Sequence, residues 1–559
     1  MKKYIFSLVA MAAVPAFAQM DNTVEVETSV TPVVKDANKI NVLPQVVESE
    51  TVHNSVSYSQ KILSTKKYIF APMDMMSSET VGEGADKGFF SLGAGTAGNF
   101  DLHAAYGFDI SKNDVLGVQF FTDGFSTKNA KKITSIYKYG DKKPKSRFYT
   151  TRGGLDYTHK YAGGLSEFYI RTGLESQVFN YVAPASKETD KQNNSLGEIR
   201  LGTTDYKTED FRMCGEFGYQ FFNQKYMTNM SKKYTEGQAH LNADFGIVFN
   251  EESSLNLDFG INSTSYGMKH YGSYTHAHVL PYYRFDDYDF SVKIGVYLGA
   301  GGVAPDLRFE YHASEYTDLY AQLTGYESEN DFRALNAFNP YAMLVAVDEP
   351  KLGEKVDDVK LKPEFHKLDL KAGLRFRSDA GFAGDVNLGY DKSKNRAELT
   401  ALTDVQNQTF FTFVEGSRFY ANVDIIYNYD EYIKFDLRNQ FNSWSLGSDY
   451  KYDVAMVRPQ MDMDWNMDIK VADGFFVGGD LKIQSFKKAK LSKDKKAVEK
   501  LYERPTTVDM GITAHYVFPT KVPFSIYANI DNLFNSNFDR FYGYRAVGPN
   551  FIIGAAVTF

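Results

Sequence analysis

The chain has a single cysteine, Cys214, in 559 residues, so no intrachain disulfide can form. Tryptophan is nearly absent, at two residues. Beyond the N-terminus there is no run of about 20 apolar residues, which excludes helical membrane spans. Positive charge is not in excess: 62 Lys and Arg face 70 Asp and Glu. The resulting net charge of −8 and pI near 5.8 speak against a nucleic-acid partner. Mean hydropathy is −0.38, the value of a chain that looks water-soluble. A membrane-spanning β-barrel satisfies every one of these absences, because only alternate residues of its strands face lipid.

What is abundant is Tyr and Phe, 39 and 44 residues, which with the two Trp make up 15% of the chain. Residues 1–18 read as a secretory signal: Lys2 and Lys3, an apolar run from Ile5 to Val14, then Ala16-Phe17-Ala18. Residues 19–87 are polar and read as a periplasmic extension. From Gly88 to Phe559 the pattern changes to alternating Gly-, Tyr- and Phe-rich runs separated by turn residues. No segment carries a helical period of similar strength.

The alternation is explicit in several runs. Leu368, Leu370, Ala372, Leu374 and Phe376 share one face, against Lys367, Asp369, Lys371, Arg375 and Arg377. Phe419, Ala421, Val423, Ile425 and Tyr427 oppose Asn422, Asp424 and Asn428. The last run, 549–559, puts Phe551, Ile553, Ala555, Val557 and Phe559 on one face. A soluble sandwich alternates as well, but with its apolar face inward. The signal segment, the strand number and the terminal aromatic favour apolar-outward. Phe559, with Val557, is then the expected assembly signal and closing edge.

Short connections rich in Asn, Asp, Gly, Ser and Pro fall at Ser111–Asp114, Lys160–Gly164, Lys207–Asp210, Asn250–Ser253, Asp286–Asp289, Ala313–Thr317, Ser378–Gly381, Tyr429–Glu431, Ala472–Gly474 and Pro519–Val522. Ten such turns, with both termini on the same side, imply an all-β antiparallel barrel of about 22 strands. The long connections are 125–146, 183–193, 224–235, 266–274, 326–362, 391–416, 443–454, 488–503 and 533–548. The longest, 326–362, carries Phe332, Leu335, Phe338, Pro340, Tyr341, Met343 and Leu344, which is unusually apolar for a loop. Phe332, Leu335, Phe338 and Tyr341 are therefore expected either to fold into the lumen or to pack over the barrel rim or against a partner.

Few residues suggest chemistry. The Gly-Ala-Gly-Thr-Ala-Gly run at 93–98 lacks the Lys-Ser/Thr of a phosphate loop and reads as a hairpin. His270 and His276 lack zinc spacing, and Asp286, Asp287 and Asp289 read as a solvated turn. No nucleophile–base pattern stands out, so no enzyme activity, cofactor or metal is expected. Two loops are rich in Lys: Lys131, Lys132, Lys142 and Lys143 in one, Lys493, Lys495 and Lys496 in the other. They are solvated loop charge or contacts for lipopolysaccharide phosphates or an acidic partner.

Three stretches resemble the TonB-dependent receptor family: Leu361-Lys362-Pro363-Glu364 opening a strand, Asn532-Leu533-Phe534-Asn535 before the final loop, and Gly543-Tyr544-Arg545 with Gly548-Pro549 leading to Phe559. The resemblance covers roughly residues 300–559. It implies an outer-membrane barrel of a Gram-negative bacterium, in contact with lipid, lipopolysaccharide and the insertion machinery. The family's plug domain exceeds a hundred residues, whereas only 69 residues (19–87) stand before the first expected strand. Residues 35–44 look similar to the start of plugless barrels of Bacteroidota. Two functions stay open on this reading. One is passage of a solute; the other is an accessory barrel in a stable complex with other outer-membrane proteins.

Overall fold

A computed structural model gives the architecture. It describes residues 87–127, 146–161, 166–180, 191–224, 234–267, 271–342, 361–401, 409–429, 432–448, 457–487, 506–520, 522–536, 538–541 and 544–559. The expected signal segment 1–18, all of the expected extension 19–87 except Lys87, and Lys131, Lys132, Lys142, Lys143, Lys493, Lys495 and Lys496 lie outside the described residues.

The strands in chain order are β1 (Gly88–Gly95), β2 (Phe100–Asp109), β3 (Asp114–Thr127), β4 (Ser146–Lys160), β5 (Glu167–Asn180), β6 (Lys191–Lys207), β7 (Phe211–Gln224) and β8 (Tyr234–Val248). Then come β9 (Ser253–Tyr266), β10 (Tyr274–Asp286), β11 (Phe290–Gly299), β12 (Gly302–Ser314), β13 (Thr317–Ser328), β14 (Glu364–Arg377), β15 (Phe382–Ala401) and β16 (Thr409–Tyr429). The last are β17 (Ile433–Leu446), β18 (Met461–Ala472), β19 (Phe475–Ser485), β20 (Thr507–Phe518), β21 (Phe524–Asp531), a small hairpin β22 (Asp539–Phe541) and β23 (Tyr544–Arg545), and β24 (Asn550–Thr558). All but the hairpin belong to one 22-stranded sheet. Every strand pairs antiparallel with its chain neighbour, and β24 pairs with both β21 and β1, which closes the barrel. Phe559 and Gly88 complete the seam with reciprocal backbone bonds of 2.9 and 2.6 Å, and the Phe559 ring stacks on Tyr106.

All ten short connections expected from sequence lie at one end, called here the turn end, with Gly88 and Phe559. The described strand ends that flank the long stretches lie at the other, the loop end. Two details differ. The stretch 391–416 is largely strand, since β15 runs to Ala401 and β16 starts at Thr409. A bulge between Ser393 and Arg396, with Asn395 at φ 60°, shifts the side-chain phase there and hides the alternation. One loop-end connection, Ala300-Gly301, is only two residues long.

The apolar face points outward. Leu370, Phe419, Leu388, Ile294 and Ile553 are exposed, whereas Asp391, Asn387, Gln177 and Asn529 are buried. The inner wall is held by tyrosines that reach across a glycine to an acid beyond it. Tyr420 on β16 lies over Gly389 on β15 and donates to Asp369 on β14 at 2.9 Å; a Cβ at Gly389 would stand 2.2 Å from the ring. Tyr320 does the same over Gly373 to Asp385, and Tyr169 over Gly202 to Glu216. Tyr527 on β21 passes over Gly554 and Gly93 to reach Asp101 on β2, bracing the seam from inside. Hydroxyl–carboxylate bonds of this kind stabilise by about 1.5–3 kcal/mol each, and a side chain at the glycine would displace the ring.

Candidate functional site

Residues 329–342 of the connection between β13 and β14 pack against wall residues at the loop end and contain the helix α1 (Phe332–Phe338). Asp331 caps it, its carboxylate accepting from the Ala334 N–H at 2.7 Å. Phe332, Leu335 and Asn336 follow the i, i+3, i+4 spacing of one helical face, and all three are buried.

That face meets the wall of β5–β9. The Phe332 ring packs against Tyr266, Tyr271 and Tyr234 at centroid distances of 4.6, 5.0 and 5.4 Å. Asn336 accepts from Asn194 at 2.8 Å and donates to Gln177 at 3.3 Å. The Phe332 N–H donates to the buried carboxylate of Glu236, and Arg333 pairs with Glu198 at 3.6 Å. One other residue of the segment, Phe338, meets the opposite wall, whereas Tyr341 stays with β5. Phe338 packs on Phe411 of β16 at 5.8 Å, with the Arg458 guanidinium 5.0 Å above its ring. Tyr341 contacts both Phe179 and Phe541 of the β22–β23 hairpin, at 5.2 and 5.4 Å. β16 is at least seven strands around the ring from β5–β9.

The ends of the segment are anchored too. Glu329 accepts from Asn262 at 2.7 Å and pairs with His276 at 2.9 Å. Asn330 donates to the carbonyls of Asn395 and Lys362 at 2.7 and 3.1 Å. Asn395 is the bulge residue of β15, so the irregular strand serves the anchor. Beside it, Arg396 is bonded to Glu364 at 2.8 Å and to Asp391, and Arg458 to the fully buried Glu398. Burial in this packing raises the Asp331 carboxyl to about 6, the nearby Glu329 charge acting in the same direction.

Next to this anchor is a polar chamber of about 410 Å³ lined by His240, His276, His278, Asp258, Glu327 and Glu329, among others. Its two cations, Lys293 and Arg308, are both committed to Asp306, at 2.7 and 3.2 Å. The chamber can hydrogen-bond a hydrated solute.

Phe332, Leu335 and Phe338 thus belong to one apolar cluster and Tyr341 to a second, while Met343 and Leu344 lie outside the described residues. The partners on the wall, Tyr234, Tyr266, Tyr271, Gln177 and Asn194, were not singled out from sequence. Tyr-rich strand ends are the only signal they carry.

No protein-family model matches the sequence, and no curated protein matches it. Solved structures do match. The FrpB iron transporter of Neisseria meningitidis aligns with a TM-score of 0.62 at 9% identity, covering 85% of this chain and 81% of that one. The fold is that of the TonB-dependent receptors. The siderophore receptor PirA of Acinetobacter baumannii aligns at 0.60 with 10% identity, over 85% and 80% of the two chains. The ferric-catecholate import receptor Fiu of E. coli K12 aligns at 0.57 with 10% identity, over 85% and 82%.

Proposed function

We propose that this chain is an outer-membrane transport barrel whose own β13–β14 connection closes the lumen, with the turn end in the periplasm and the loop end outside. The observation that carries the reading is the segment 329–342, packed against β5–β9 and the β22–β23 hairpin on one side and β16 on the other. A lumen of 22 strands is wide enough to breach the permeability barrier unless something fills it. The likeness to import receptors supports transport over a purely accessory role. The outward apolar face supports insertion in lipid, and the braced seam supports Phe559 as a closing residue. The Lys-rich loops at 125–146 and 488–503 would then face lipopolysaccharide or an acidic partner.

Cells carrying the chain with 328–358 replaced by a Gly/Ser linker test the reading. Sensitivity to a large antibiotic that normally cannot cross the outer membrane should rise, with surface levels unchanged. Equal sensitivity at equal levels would remove the connection from the account.

A further inference from the structure

A second cluster lies at the other end of the lumen. Glu310 and His312 are two apart on β12, on the inward face, while Tyr311 between them is exposed outward. Asp318 on β13 is the direct cross-strand partner of His312. The strand is bulged immediately after His312, between His312 and Ser314, a device that re-aims side chains near functional sites. The three residues each offer one ligand atom, and these atoms lie within 4.8 Å of one another. All three side chains are half-buried, at 29%, 38% and 23% exposure, so water and ions reach them.

We propose that Glu310, His312 and Asp318 form a binding site for a divalent first-row transition-metal ion in the lumen wall near the turn end. One imidazole and two carboxylates, on two hydrogen-bonded strands, make a rigid three-ligand set of the kind such ions accept, with water completing the coordination. The present partners of these groups can be released. His312 Nδ1 is 2.8 Å from Asp318, a bond that metal ligation replaces. Glu310 is held by Arg375 at 2.9 Å, but Arg375 already approaches Asp385 at 3.7 Å and lies over the Tyr320 ring, so it has a second position. There is room beside it: a cavity of about 320 Å³ reaches Asp318 of the triad and is lined also by Asp385, Asp424, Arg375 and Arg377. The site is remote from the segment 329–342 and does not depend on its closing the lumen.

The test is titration of metal-stripped, full-length protein in detergent with Co²⁺, followed by visible absorption, and with Zn²⁺ by calorimetry. We expect a saturable site, one ion per chain. His312→Gln and Asp318→Asn should each weaken it by at least about tenfold and change the Co²⁺ spectrum. His278→Gln, in the other chamber, should leave it unchanged. Arg375→Met should tighten it several-fold by removing the cation that competes for Glu310, an effect of opposite sign that a variant failing to fold cannot imitate. Absence of saturable binding, or binding that His312→Gln, Asp318→Asn and Arg375→Met all leave unaltered, would overturn the proposal.

Discussion

The two ends of the lumen are built differently. At the loop end an apolar cluster fills the interior: Phe332, Leu335, Phe222, Tyr234, Tyr271, Leu399 and Phe411 are all buried. Its polar members are buried and paired, as with Arg396, Asp391 and Glu398. At the turn end the connections are tight turns, and the charged pairs facing the lumen stay wet, as with Arg438 and Asp436 or Arg375 and Glu310. The same alternating strands thus frame a packed core at one end and a hydrated, acid-rich surface at the other. The difference lies in one connection and the strand ends it meets: Phe222, Tyr234, Leu399 and Phe411 of the wall join Phe332 and Leu335 of the connection in one apolar cluster.

The largest expected effects contrast buried groups at the loop end with counterparts at the turn end. Phe332→Ala should destabilise docking of the connection by about 3–5 kcal/mol, because a fully buried ring leaves a cavity among three tyrosines. Labelling of a cysteine placed at Asn336, in a Cys214→Ser background, should speed up accordingly. Ile426→Ala, in the turn-end cavity and 42% exposed, should change stability by less than about 1 kcal/mol. Denaturant unfolding of the two variants measures the ratio directly. Arg396→Met should cost about 3–5 kcal/mol, since it strands the Asp391 and Glu364 carboxylates. Arg438→Met, whose pair with Asp436 is exposed, should cost about 0–1 kcal/mol. Equal costs for the two arginines would erase the distinction between the ends.

The smallest effect is a pH dependence confined to the loop end. The Asp331 carboxyl titrates near 6 in the docked segment, against 3.8 in water. The docked form therefore holds a proton that the released form gives up. Its contribution to docking is fully present below about pH 4 and is lost as pH rises through 6. Openings of the barrel in a planar bilayer should be more frequent at pH 7.5 than at pH 4.5. Asp331→Asn should flatten that dependence. More frequent openings at the acid pH would reverse the sign and contradict the assignment.

Much of the frame was legible in the sequence, because it rests on local rules. Turn residues such as Asn250–Ser253 and Ser378–Gly381 mark hairpins wherever they occur, and counting ten of them led to 22 strands. The faces of β14 and β16 follow from period-two alternation, and Leu370 and Phe419 stand outside as it requires. The apolar content of 326–362 pointed to a buried stretch, and within its described part Phe332 and Leu335 are buried. What was not legible depends on pairing across the ring. Tyr420 and Gly389 look like ordinary strand residues until the register sets one over the other. The bulge at Asn395 breaks the alternation that would have extended β15. Glu310, His312 and Asp318 read as plain inward polar positions, since only the pairing of β12 with β13 brings them together.

The central claim is that the connection 329–342 closes the lumen. Single-channel recording in planar bilayers tests it most directly, with purified intact protein set beside the variant in which a Gly/Ser linker replaces 328–358. The account predicts little or no steady current from the intact barrel and large, stable channels from the variant. Large, stable channels from the intact protein would contradict it.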